Sequence, residues 1–138
     1  MRGERKEETG GSRDFRILLI DDMKSLALLL QAGLQQRGHT VFVAFSGEDG
    51  IEIFDREELD VVVCDMGMEE MNGLEVSRAV REICGKKGIP RSPFILLTGW
   101  GAALDRDAIS DAGVDRVIAK PVEVPTLEEI AREVIDGR

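Results

Sequence analysis

The chain is poor in cysteine, with two in 138 residues, Cys64 and Cys84. That number and spacing exclude a disulfide framework or a zinc site. Cys64 reads instead as a small buried hydrophobe. Long hydrophobic runs are missing as well. Leu26 to Leu30, the longest near the start, is far too short to span a bilayer, and no signal-peptide pattern precedes it. No membrane segment is expected, and a cytoplasmic location is. There is no Lys/Arg-rich run either. With 18 basic and 27 acidic residues the net charge is −9, so the chain is not expected to bind nucleic acid directly, since that affinity rests on neutralising phosphates. The same balance suits a metal ion or a partner protein. No internal repeat is present.

What the chain does have is a globular composition, 43% hydrophobic and 33% charged, at a length that fits one domain. Residues 1–14 are charged, contain glycine and lack apolar periodicity, so a disordered tail is expected there and a folded domain over 15–138. Residues 60 to 73 organise the rest. Val61, Val62, Val63 and Cys64 form a β-branched apolar run of the kind buried on both faces of a sheet, and it ends on a carboxylate, Asp65. In open α/β sheets, ligands bind at the carboxyl ends of strands.

Similar runs at Phe15–Ile20, Thr40–Phe45, Phe94–Thr98 and Arg116–Ala119 predict four more strands. Helical spacing fills the intervals. Leu26, Leu29, Leu30 and Leu34 mark a first helix over Ser25–Arg37, stopped by Gly38. Ser46 with Asp49 resembles a capping pair for a second helix through about Arg56, buried through Ile51 and Phe54. Val76, Ala79, Val80 and Ile83 define a third, followed by a turn-rich connection from Gly85 to Pro93. After a Gly99-Trp100-Gly101 loop, Leu104, Ala108 and Ala112 mark a weak fourth, ending at Gly113. Thr126 and Glu129 form a capping box for a fifth, buried through Leu127, Ile130, Ala131 and Val134. Strands alternating with helices predict a parallel sheet covered on both faces, joined by right-handed crossovers. On this reading the fifth helix closes the domain and leaves no residues for an output domain.

Four strand ends then carry polar groups: Asp21 and Asp22, Asp65, Thr98, and Lys120. The fold gathers them at one rim. Carboxylates within about 6 Å repel by roughly 1–3 kcal/mol per pair at an effective dielectric near 20, which a cation offsets. Oxygen ligands with spare water positions suit Mg²⁺. Lys120 supplies a point charge for a phosphate oxygen and Thr98 a hydroxyl donor. Together these are the parts of phosphoryl transfer to a carboxylate.

From Phe15 to the C-terminus the chain resembles the receiver domain of two-component response regulators. The resemblance rests on Asp21-Asp22, on Asp65 with Met68, Met71, Asn72 and Gly73, and on Thr98-Gly99, Ala112-Gly113 and Lys120-Pro121. It implies a flavodoxin-like (βα)5 sandwich with strand order 2-1-3-4-5, an order that a receiver also illustrates in the general rule for such sheets. It implies Asp65 as phosphoacceptor. Asp22, Asp65 and the Gly67 carbonyl would ligate Mg²⁺, with Asp21 reaching it through water. Lys120 would pair with the phosphoryl group and with Asp65, Thr98 would report phosphorylation, and Lys120–Pro121 would be cis. The implied partner is a histidine kinase or histidine phosphotransfer protein, with the chain a monomer or weak dimer and only weak autodephosphorylation rather than enzymatic turnover.

Three positions depart from the family pattern. Glu69 stands where proline is usual, so a looser loop after Asp65 is expected. Val117 stands where an aromatic usually couples to the threonine, so no ring swing is available to bias the surface between the last two helices. Trp100, two residues after Thr98, is bulkier than the common choice. Leu97-Thr98-Gly99-Trp100-Gly101 is similar to receivers within hybrid kinases, so an excised segment of one is an alternative. Two other classes fit less well. A flavodoxin-like FMN protein needs a phosphate loop where Asp21-Asp22 would repel one. A haloacid-dehalogenase-type phosphatase needs a second carboxylate two residues after its nucleophile, where Gly67 stands.

Overall fold

Apolar runs with no charge in their centres pair side by side, because only a parallel sheet covered on both faces removes them from water. In chain order the elements are β1 (Arg16–Ile20), α1 (Lys24–Gln36), β2 (Thr40–Ala44), α2 (Gly47–Arg56), β3 (Val61–Asp65), α3 (Gly73–Lys87), β4 (Phe94–Thr98), α4 (Arg106–Ala112), β5 (Arg116–Ala119) and α5 (Val124–Asp136). The computed structural model describes residues 13–99 and 105–137. Trp100, Gly101, Leu104 and residues 1–12 of the expected tail lie outside them. Arg13, the first described residue, is tied down: its side chain reaches Asp136 at 3.3 Å, and its carbonyl accepts from Arg132 at 2.7 Å.

All five strands are parallel in the order β2-β1-β3-β4-β5. Alternate residues feed two cores. Ile17, Leu19, Val63, Ile95 and Leu97 pack with Leu30, Leu34, Leu127 and Ala131 of α1 and α5. Leu18, Ile20, Val62, Cys64 and Leu96 pack with Phe54, Val76, Val80 and Cys84 of α2 and α3. The carboxyl ends of β1, β3, β4 and β5 therefore share one rim.

Several helix details differ from expectation. In α1 the buried residues are Ala27, Leu30 and Leu34, while Leu29 is 67% exposed. A run of adjacent leucines leaves the helix phase open, and packing on the sheet chose the face centred on the alanine. α3 continues through Gly85 to Lys87 and ends at Gly88, which takes the left-handed conformation at φ 69°. An interior glycine costs only about 1 kcal/mol against alanine and does not stop a packed helix. α5 starts at Val124, so Thr126 and Glu129 sit inside it and form no capping box. Pro125, with φ already helical, nucleates that first turn. Ser46 does cap α2, accepting from the Asp49 N–H at 3.1 Å. The strands match expectation to within one residue.

Candidate functional site: an acidic rim with one lysine

β1 and β3 are neighbours in register, Ile20 beside Cys64, so the residues that follow meet at the rim. Asp21, Asp22 and Asp65 bring one carboxylate oxygen each within 4.8 Å of one another. Asp21 and Asp65 are buried, at 3% and 6% exposure, and Asp22 is exposed. Lys120 comes from the end of β5. Its backbone N–H donates to the Thr98 carbonyl at 2.8 Å, and a cis peptide bond links it to Pro121. Its ammonium lies 2.8 Å from Asp65 Oδ1 and 3.1 Å from Asp21 Oδ2.

That single cation does not satisfy the cluster. Asp21 Oδ1 accepts from the Met23 N–H at 2.9 Å. Asp21 Oδ2 is close to Lys120 but off the line of a hydrogen bond, so among the described residues this buried oxygen has no hydrogen-bond partner. Burial, with the nearby Asp65 charge adding to it, holds the Asp21 carboxyl above its ordinary range despite the Met23 N–H and Lys120. Burial works against the charge on Lys120, but its close pairing with the Asp65 and Asp21 carboxylates outweighs that and raises its pKa. A buried oxygen without a hydrogen bond, beside two further carboxylates, is a donor set for a hard cation.

Thr98 is buried at the end of β4, where its hydroxyl donates to the Gly99 carbonyl at 3.2 Å. It makes no hydrogen bond to the carboxylates among the described residues. Gly67 is exposed in the loop after Asp65, and a Cβ there would meet nothing within 4 Å. Glu69 is exposed in the same loop. Val117 pairs with Leu96, which places it on the α2/α3 side of the sheet, and it is 38% exposed. Sequence reasoning missed what braces the loop after Asp65. Asn72 accepts from the Glu75 N–H, and Glu75 accepts from the Asn72 N–H, both at 2.9 Å. The signal was legible as Asn-x-x-Glu before an apolar-periodic run.

A parallel 2-1-3-4-5 sheet with an acidic rim and a lysine opposite defines a flavodoxin-like receiver fold. The family model for the response regulator receiver domain matches residues 17–132, and the chain belongs to that family. It is 31% identical over 120 residues to the transcriptional regulatory protein GlrR of Escherichia coli K12 and 29% identical over 120 residues to the aerobic respiration control sensor protein ArcB of the same strain. Both matches cover 87% of this chain, but the chain spans only 26% of GlrR and 15% of ArcB. A response regulator receiver domain protein from Clostridium thermocellum superposes with a TM-score of 0.76 at 30% identity, covering 89% of this chain and 95% of that one. Chemotaxis protein CheY4 of Vibrio cholerae, at 21% identity, shares the fold with a TM-score of 0.78, covering 88% of this chain and 98% of that one. The chain is thus a phosphoacceptor receiver domain of two-component signalling, and the flavin-binding and phosphatase readings are not favoured. Among the described residues no helix is long and apolar enough to cross a membrane.

Proposed function

We propose that Asp65 accepts a phosphoryl group from the phosphohistidine of a cytoplasmic histidine kinase or phosphotransfer protein, with Mg²⁺ held by Asp22, Asp65 and the Gly67 carbonyl and reached by Asp21 through water. The observation that carries this reading is the buried Asp21 Oδ2, without a hydrogen-bond partner among the described residues, in a cluster of three carboxylates that share one lysine. An Asp65 oxygen forms the new O–P bond as the P–N bond to the donor imidazole breaks, and the imidazole leaves. Lys120, at 2.8 Å from Asp65, is placed to follow the carboxylate as its charge passes to the phosphoryl oxygens. The Thr98 hydroxyl exchanges the Gly99 carbonyl for a phosphoryl oxygen and so reports the modification. Bound Mg²⁺ supplies charge neutralisation at the transferring group.

The domain turns over no other substrate and loses its own phosphoryl group slowly. Gly67 offers no side chain to orient an attacking water, and the space around it is open. The donor docks beside α1. No charged residue occurs from Ser25 to Gln36, and Met23, which follows Asp22 in the chain, and Leu28 and Leu29 of α1 are exposed, a composition typical of an interface centre. The test is labelling with acetyl phosphate followed by peptide mapping. One phosphoryl group is expected on the peptide carrying Asp65, dependent on Mg²⁺ and lost in Asp65→Asn. Labelling that survives Asp65→Asn contradicts the assignment.

A further inference from the structure

The first turn of α3 touches the phosphoacceptor at one end and α4 at the other. Gly73, the first residue of α3, donates its N–H to the Met66 carbonyl at 3.1 Å. It is fitted without slack: a Cβ there would lie 2.8 Å from the Asp65 carbonyl oxygen and 3.0 Å from Met66 Cα, and would collide with Leu96. Ser77 follows four residues later, on the same face of the helix. Its side chain is buried and donates to the Ala112 carbonyl of α4 at 2.5 Å. The Asn72–Glu75 capping box stiffens the turn between them.

Among the described residues, α4 is held mainly at this end. Ala112, its last residue, is its only buried one. Arg91 adds a hydrogen bond to the Gly113 carbonyl at 2.8 Å, just beyond the helix. The opposite end, from Asp105 to Asp107, is exposed, and among the described residues its cap is its own Asp105 side chain. Meanwhile Val117, half-exposed and stiff at χ1, has no ring with which to carry a signal across β5.

We infer that Ser77 is the positioning residue through which the phosphoacceptor loop controls α4, with the first turn of α3 acting as a rigid strut between the Asp65 backbone and the Ala112 carbonyl. A displacement at Met66 moves Gly73, which has no room to absorb it. Ser77 then carries it to the anchored end of α4, and the far end moves furthest. This inference rests on the assignment of Asp65 as phosphoacceptor.

The experiment is amide hydrogen exchange with and without Mg²⁺ and beryllofluoride, a phosphoryl mimic. In the unmodified chain, the mimic should change exchange both at Met66–Met68 and over Arg106–Ala112, the latter by at least about fivefold. Ser77→Ala should abolish the α4 response while leaving that at Met66–Met68, and Ser77→Thr should restore it. Arg91→Ala loosens the same end of α4 without touching α3, and it should keep the response. A Ser77→Ala response equal to the unmodified one overturns the inference. So does loss of the response in Arg91→Ala, which would make both contacts merely structural, and so does an α4 that ignores the mimic while Met66–Met68 respond. Acetyl phosphate labelling separates the two readings. Labelling absent from the unmodified chain sinks the phosphoacceptor assignment, whereas labelling present in Ser77→Ala with α4 still responding sinks only the strut.

Discussion

The two ends of the sheet each bury a cluster of charged and polar groups, and the clusters are built in opposite ways. At the amino end, His39 Nδ1 accepts the Phe15 N–H at 3.1 Å, so Nε2 carries the proton and donates it to Glu128 Oε2 at 2.7 Å. The imidazole stacks on Phe15 with centroids 3.8 Å apart. Arg37 at 2.6 Å and Arg132 at 3.4 Å complete the shell of Glu128. Each charge there has an opposite partner. At the carboxyl end three carboxylates share one lysine, and one buried oxygen has no hydrogen bond among the described residues. A fold that can satisfy such groups at one end leaves them unsatisfied at the other only where something else is to bind. The amino end holds the fold together, and the carboxyl end waits for a cation and a phosphoryl group.

Substitutions can break that contrast. The largest effect is expected from Lys120→Ala, which should slow labelling of Asp65 by about 10²-fold through loss of the charge facing the phosphoryl oxygens, while leaving the domain folded. Thr98→Ala should leave labelling largely intact and weaken only the conformational response. If Thr98→Ala abolishes labelling and Lys120→Ala is silent, the roles are reversed. Next in size, His39→Ala removes the acceptor for Phe15, the stacked ring and a donor to Glu128, and should cost ~2–4 kcal/mol in urea unfolding. Labelling of Asp65 should be unchanged in the variant while it remains folded. A cost near zero would show that the amino end is not the structural one.

Much of this was legible beforehand, and the exceptions share a cause. The β-branched run ending on Asp65, the polar residues at four strand ends and the parallel sheet covered on both faces follow from local pattern plus topology, while the strand order came from the resemblance to receiver domains. The phase of α1 did not, because Leu26 and Leu28–Leu30 are locally equivalent and only contact with the sheet selects Ala27. The start of α5 did not either: Thr126 and Glu129 have the spacing of a cap, but Pro125 and the fit of Val124 against α1 begin the helix earlier. A Cβ on Gly33 would lie 2.6 Å from Val124 Cγ2, so that approach is close. His39 and Ser77 were invisible for a further reason. Their partners lie 24 or more residues away in sequence, at Phe15, Glu128 and Ala112.

A smaller effect concerns pH. Burial pushes the Glu128 carboxyl up, but hydrogen bonds from His39 and Arg37 outweigh it and hold its pKa below the ordinary 4.5. The folded state therefore favours the carboxylate more than the unfolded chain does. That contribution is present in full above 4.5 and is lost as pH falls through the depressed folded value. Glu128→Gln should be less stable at neutral pH, with the gap to the unmodified chain closing below pH 4.5. A gap constant with pH would remove Glu128 from the account. The smallest effect is expected from Gly67→Asn, which places an amide beside the site and should change the lifetime of the acyl phosphate without changing stability, as read by loss of label over time.

The contrast between the two ends is tested most directly by thermal melting with and without millimolar Mg²⁺. A cation that relieves repulsion among Asp21, Asp22 and Asp65 binds only the folded state and raises Tm. The unmodified chain should show that rise, and His39→Ala should show it too, from a lower starting Tm. Asp21→Asn and Asp22→Asn should melt higher than the unmodified chain in the absence of metal and gain less from adding it. A Tm that does not move with Mg²⁺ in the unmodified chain would contradict the claim that the carboxyl end of the sheet is an unsatisfied cation site.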